Sequence, residues 1–293
     1  MPAAAALRER TGSFKFRDQR LAYTEFGDGR RWVVLLPGLL LPALMQEPLA
    51  RYLASQGNHV ITLDPLGHGK SDRPIDMWRY MITAYAEEVI ALLDHLDVDE
   101  AVIGGTSLGA NVTLEMAAQA PLRVRGMIIE MPVLENGLVW SAMTFGPLLI
   151  ALHFGERVFF KPLAAITRRI PRGLVPFWAN VALDVVRQDP APSAALLQGL
   201  FFGHVAPHRD IRRTFTMPAL ILGHRRDPVH MFSDAGVLAD ELPNARLIEA
   251  SHILELRFTP ERLSAEIADF VTECWAPRTV TRSRPTRTRR RSA

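Results

Sequence analysis

Ser107 stands in the stretch Gly105-Thr106-Ser107-Leu108-Gly109, a G-x-S-x-G pattern. Such a pattern is weak by itself and gains meaning from its surroundings. An apolar run of strand type, Ala101 to Ile103, precedes it, and a helical pattern, Leu108 to Ala120, follows it. The glycines permit a sharp strand-to-helix turn with crowded backbone, which lifts the serine to a helix N-terminus where developing negative charge is favoured. A serine hydroxyl is a poor nucleophile at neutral pH, so it needs a base to take its proton and an acid to orient that base. The order serine, acid, histidine along the chain goes with a serine on such an elbow.

Asp227 follows a strand-like run, in Gly223-His224-Arg225-Arg226-Asp227-Pro228, and His252 follows the last one, in Ala250-Ser251-His252. Both fall in loops beyond the carboxyl ends of strands, where open parallel sheets carry their sites. The sequence therefore nominates Ser107 as nucleophile, His252 as base and Asp227 as orienting acid. Glu130, at the end of the run Met127 to Ile129, is the alternative acid. His224 and His230 flank Asp227 and read as solvated loop residues, with no metal-type cluster around them. The oxyanion of an acyl-transfer step needs two placed donors. The backbone N–H groups of Leu108 and Leu39 are the candidates, the latter in Leu36-Pro37-Gly38-Leu39-Leu40. Gly69-Lys70-Ser71 ends like a phosphate-binding loop, but the first glycine of that pattern would fall on Asp64.

These residues need a scaffold, and the apolar pattern supplies one. Phe14 to Phe16 and Leu21 to Phe26 read as an antiparallel hairpin around Asp18. Buried-strand runs follow at Trp32 to Leu36, Val60 to Leu63, Ala101 to Ile103, Met127 to Ile129, Ala219 to Leu222 and Arg246 to Glu249. Helical patterns alternate with them at Ala43 to Ser55, Trp78 to Leu96, Leu108 to Ala120, Ser233 to Leu242 and Pro260 to Trp275. The alternation predicts an α/β fold, a mostly parallel central sheet with helices on both faces.

Residues 133–205 break this rhythm, rich in aromatics and without a clear strand. Pro147, Pro162, Pro171, Pro176 and Pro190 recur there at intervals expected to divide it into several short helices. The expectation is a helical cap over a core made of residues 13–132 and 206–275. Asn136 to Gly155 contains no Asp, Glu, Lys or Arg, but Gly137, Gly146, Pro147 and His153 interrupt it. A buried or membrane-facing apolar helix pair is favoured over a true span.

The net charge of +3 on 293 residues conceals an asymmetry. Residues 276–293 carry seven arginines and no acid, while the rest carries 27 basic against 31 acidic residues. The body is mildly acidic, which gives no reason to expect nucleic-acid binding. The tail reads as disordered, with a possible weak contact to anionic membrane or nucleic acid. Cys274 is the only cysteine, which excludes an intramolecular disulfide and Cys-rich zinc sites. The N-terminus lacks the long apolar stretch of a secretory signal, so a cytoplasmic location is expected.

With these residues in view, the chain resembles the α/β-hydrolase fold superfamily, of the cap-bearing serine esterase and lactonase type, from about Arg20 to Val271. Asp64-Pro65-Leu66-Gly67-His68-Gly69-Lys70-Ser71-Asp72 is similar to the family's D-x-x-G-H-G-x-S-D segment, which is structural there. Pro37-Gly38 departs from the usual His-Gly before the oxyanion donor. The resemblance implies hydrolysis of a carboxylic ester or lactone with a hydrophobic acyl part, through an acyl-enzyme and without a cofactor. Ser107 stands where the family's dehalogenases and epoxide hydrolases have aspartate, and Ile253 where its carbon–carbon hydrolases typically have tryptophan. The four tyrosines, Tyr23, Tyr52, Tyr80 and Tyr85, lie outside the cap in which epoxide hydrolases place theirs. An acyltransferase on the same triad and a non-catalytic small-ligand receptor remain the alternatives. Oligomeric state is left open.

Overall fold

Eight runs of alternating or continuous apolar residues pair into one sheet of order β1-β2-β4-β3-β5-β6-β7-β8 in the computed structural model, which describes residues 7–227 and 229–277. The strands are β1 (Glu9–Phe16), β2 (Gln19–Phe26), β3 (Arg31–Leu36), β4 (Asn58–Asp64), β5 (Ala101–Thr106), β6 (Val124–Glu130), β7 (Ala219–His224) and β8 (Ala245–Ala250). β1 and β2 form an antiparallel hairpin whose second strand pairs antiparallel with β4. From β4 to β8 every pairing is parallel. This is the expected α/β fold, with each predicted strand extended by one to five residues.

The pleat explains why parallel strands here read as continuous apolar runs. Val34 and Leu36 of β3 face one core and Val33 and Leu35 the other, because successive side chains point to opposite faces. The first core is completed by α2 (Ile82–His95), α3 (Leu108–Gln119) and, after β7, the helix Phe232–Glu241. The second is completed by α1 (Glu47–Ser55) and the C-terminal helix Glu261–Cys274. Leu53, Leu263, Ile267 and Val271 of those two helices are fully buried.

No strand lies between β6 and β7, and the first four α-helices there are α4 (Gly137–Gly155), α5 (Lys161–Thr167), α6 (Phe177–Val186) and α7 (Pro190–Phe202). Numbered on in chain order, the later helices are α8 (Arg209–Arg212), α9 (Phe232–Glu241), α10 (Glu255–Phe258) and α11 (Glu261–Cys274). Pro162 and Pro190 open α5 and α7 at their first turns, and Pro176 directly precedes α6. Pro147 does not divide the helix as expected: it lies inside α4. Proline removes one helical hydrogen bond, and Pro147 is exposed, so the carbonyl it frees can turn to solvent. A π-helical turn, Glu156–Phe160, joins α4 to α5. The arginine-rich tail expected to be disordered lies, from Arg278 onward, outside the described residues.

Two buried groups brace the loops at the sheet's carboxyl edge. The fully buried His68 accepts the Leu40 N–H at Nε2, 3.1 Å away, and donates from Nδ1 to the Leu66 carbonyl at 3.0 Å. That requires a neutral ring, and burial pushes its pKa down to about 4. Glu88 of α2, also buried, accepts the Leu66 N–H at 3.0 Å. Burial raises its carboxyl to about 8.

The two groups give opposite pH signatures. Stability conferred by neutral His68 is present above its unfolded value of 6.5 and is lost as pH falls through about 4. The lead of wild type over His68→Ala in urea midpoint is therefore expected to shrink between those limits. Glu88 acts in reverse: stability held by its protonated form is present below 4.5 and lost as pH rises through about 8. Glu88→Gln, which keeps an acceptor for Leu66, is expected to gain on wild type as pH rises over that window, by on the order of 4 kcal/mol at its upper end. Parallel pH curves for wild type and either variant would contradict the assignment.

Candidate active site

Ser107 occupies the single-residue corner between β5 and α3, with φ 54° and ψ −109°. A non-glycine residue rarely adopts such a φ unless its neighbours enforce it. The neighbours do so by close approach. A Cβ on Gly105 would lie 2.4 Å from the carbonyl carbon of Gly109, and one on Gly109 would lie 2.7 Å from the Leu36 carbonyl oxygen. Both glycines of the motif are thus required by contact. The corner is pinned by hydrogen bonds from Ser107 N to the Glu130 carbonyl (2.8 Å) and from Gly109 N to the Pro37 carbonyl (3.1 Å).

The Ser107 hydroxyl lies 2.8 Å from Nε2 of His230. Nδ1 of the same ring lies 2.8 Å from Oδ2 of Asp227. The other carboxylate oxygen, Oδ1, accepts the backbone N–H groups of Val229 (2.8 Å) and His230 (2.9 Å). Those two bonds fold the chain back just after Asp227 and return the residue three positions on to its own carboxylate. Burial works to raise the Asp227 carboxyl, but the His230 ring and the two amides outweigh it and hold the group below the usual carboxylate range. An ionised carboxylate only accepts, so Nδ1 carries the ring proton and Nε2 is left to accept from the serine O–H. Asp227 is almost wholly enclosed and His230 only 16% exposed at the side chain.

The structure thus joins Ser107 and Asp227, but through His230 rather than His252. The exposed His252 ring places Nε2 3.2 Å from the Thr259 hydroxyl. Its carbonyl accepts the Glu255 N–H at 3.0 Å and faces Nδ1 of His224 at 3.3 Å. These contacts anchor the residue by its backbone and engage its ring with Thr259 rather than with the serine. The reading of His230 as a solvated loop residue is corrected by the same geometry. The signal available in the sequence was the Asp-x-x-His spacing, which permits an aspartate-led turn. His224 is not solvated either: it is buried, and burial lowers its pKa against the pull of Glu130.

Glu130, the alternative acid, is engaged elsewhere. Its Oε2 receives the Thr106 hydroxyl and the Arg257 guanidinium, and its Oε1 lies 3.9 Å from His224 Nε2. Thr106 Oγ1 also accepts from Gln46 (3.0 Å) and Arg257 (2.8 Å). This buried cluster supports the end of β5 from beneath the serine.

Leu39 and Leu108 N–H groups have no acceptor among the described residues, and both residues line the same cavity as Ser107. The cavity measures about 540 Å³ and is walled by Leu138 and Phe145 of α4 and Leu197, Leu200 and Phe201 of α7. The charged and amide groups that reach its wall are satisfied internally. Arg212 pairs with Glu241 (2.6 Å) and Glu135 (3.1 Å), His204 with Glu115 (2.9 Å), and Asn111 with the backbone of Val133 and Val205. What the cavity offers a guest is mainly apolar surface plus the Ser107 corner.

Comparison with known proteins agrees with this architecture. Residues 31–158 match the family model described as the alpha/beta hydrolase fold. The chain is 25% identical to 3-oxoadipate enol-lactonase 2 of Acinetobacter baylyi over 249 residues, covering 81% of this chain and 88% of that protein. It is 27% identical to the haloalkane dehalogenase of Mycolicibacterium paratuberculosis over 266 residues, covering 84% and 85% of the two chains. Among solved structures, the enol-lactonase of Burkholderia xenovorans LB400 superposes with a TM-score of 0.71 at 20% identity, covering 89% of this chain and all of that one. With its sheet order, its strand-to-helix serine corner and these matches, the chain has the α/β-hydrolase fold.

Proposed function

We propose that this hydrolase cleaves a carboxylic ester or lactone with a hydrophobic acyl part, through an acyl-enzyme on Ser107. The observation that carries the reading is the unbroken hydrogen-bond chain Asp227–His230–Ser107, ending beside an apolar cavity. As Ser107 Oγ attacks the carbonyl carbon, its proton passes to His230 Nε2. Asp227 keeps the ring oriented and stabilises the imidazolium. The Leu39 and Leu108 amides stabilise the oxyanion, and His68 supports the former by holding the next amide, Leu40. His230 then gives its proton to the leaving alkoxide. Water, deprotonated by the same ring, hydrolyses the ester on Ser107.

Helices α4–α7 act as a cap whose apolar inner face receives the acyl group. The haloalkane dehalogenase likeness is weighed against the nucleophile. Displacement of a halide at carbon in this superfamily is carried by aspartate, and position 107 here is serine, whose histidine-activated hydroxyl suits acyl transfer. The similarity to the Acinetobacter baylyi enol-lactonase supports the same choice.

The test is hydrolysis of p-nitrophenyl esters from acetate to long acyl chains by wild type and three variants. Ser107→Ala and His230→Ala are each expected to lower kcat by about a thousandfold or more. His252→Ala is expected to stay within a few-fold of wild type. If His252→Ala is the dead variant and His230→Ala is active, the base is His252 and the loop bearing it must turn inward during turnover. Equal activity in Ser107→Ala and wild type would end the serine mechanism.

A further inference from the structure

Helix α4 has two faces with different fates. Its inner positions, Phe145, Leu148, Leu149 and Leu152, pack on Ala194 and Leu197 of α7, and Leu138, Ser141 and Ala142 help wall the cavity. Its outer positions are apolar as well. Val139, Met143, Pro147, Ile150, Phe154 and Val158 recur at intervals of three and four, which puts them on one stripe. That stripe is about 28 Å long at helical rise. Met143 is 63%, Ile150 59%, Phe154 80% and Val158 86% exposed. Phe159 and Ile166 continue it beyond the π-helical turn, and Trp140 flanks it at the other end, all three exposed. A contiguous apolar stripe of this extent marks a contact surface.

The charges beside the stripe identify the contact. Arg157 adjoins Phe154 and Val158, and Arg168 and Arg169 follow on the next helix end; all three are exposed. None of the three has a carboxylate partner among the described residues. The nearby acids Glu156 and Asp184 are already paired with Lys161 and with Arg172 and Arg187. A second copy of the chain meeting this face about a two-fold axis would set its unpaired arginines near their own kind. A bilayer with anionic headgroups answers both features, taking the apolar stripe to the acyl boundary and the guanidinium groups to the phosphates. A full span is excluded by the inner face, which stays packed on α7 and around the cavity.

We infer that the outer face of α4, with the turn and helix that follow, is a membrane-contact surface on which the protein lies in the plane of an anionic bilayer. The assignment is independent of the catalytic reading. The same helix thereby touches lipid on one side and the cavity on the other.

The experiment is flotation of the full chain with vesicles of equal parts phosphatidylcholine and phosphatidylglycerol, and with vesicles of phosphatidylcholine alone. Three variants accompany it: Ile150→Ser with Phe154→Ser, Arg157→Glu with Arg169→Glu, and a truncation after Trp275 that removes the arginine-rich tail. Both stripe residues are solvent-facing, so melting temperature is expected to hold in the first variant. The wild type and the truncated chain are expected to float with the anionic vesicles. The serine double variant is expected to lose about tenfold or more in partitioning, and the glutamate double variant to lose the preference for anionic lipid. Undiminished binding by the serine variant overturns the proposal, as does binding that the truncation alone abolishes. A lipid-free dimer that the serine variant dissociates would assign the face to a second copy instead.

Discussion

The backbone of Ser107 is held in a conformation that serine does not choose. At φ 54° it requires an L-residue to sit where only tight surroundings keep it, and the whole carboxyl edge of the sheet is arranged around that requirement. Gly105 and Gly109 can approach each other only because neither has a side chain. The loop after β3 supplies the Pro37 carbonyl that fixes Gly109, and β6 supplies the carbonyl that fixes Ser107 itself. Beneath, Glu130, Thr106, Gln46 and Arg257 form a buried polar cluster in which Oε2 of Glu130 receives both the Thr106 hydroxyl and the Arg257 guanidinium. Hydrogen-bonded networks of this kind rigidify what they touch. The corner is therefore a product of three strands and the helix that follows one of them, which is why its geometry can be stiff while its side chain stands free.

The arrangement of the edge separates two tasks. His68 works in the neutral state, spending both ring nitrogens on backbone groups so that the loop of Leu39 and Leu40 has one shape. His230 spends one nitrogen on Asp227 and leaves the other facing Ser107. The two rings differ less in chemistry than in what their second nitrogen meets.

The fold was legible in the amino-acid pattern because the parallel strands alternate their apolar residues between two cores, so each reads as a short solid run: Val33 to Leu36 is the clearest case. The serine corner was legible for a related reason, since Gly105 and Gly109 are dictated by backbone contact that no other residue permits. The histidine was not. His230 and His252 both follow Asp227 in the chain, and both belong to loops at the same edge. Choosing between them depends on the turn that Asp227 makes with the amides of Val229 and His230, a local geometry that loop position does not encode. Pro147 shows a comparable limit: proline disfavours a helix interior, yet α4 continues through it where the helix faces outward.

Asp227 and His230 lie three positions apart, whereas Ser107 lies more than a hundred residues away, at the end of a different strand. Two of the three linked side chains therefore travel as one object. Any rearrangement that draws the loop after β7 outward carries the imidazole and its carboxylate together, leaving their mutual bond and the ring's tautomer intact while the serine keeps its corner. The hydrogen bond between Ser107 and His230 is the seam at which the assembly would part and rejoin. Loop order, rather than anything in the sheet, would then set the fraction of molecules in which the serine has a partner.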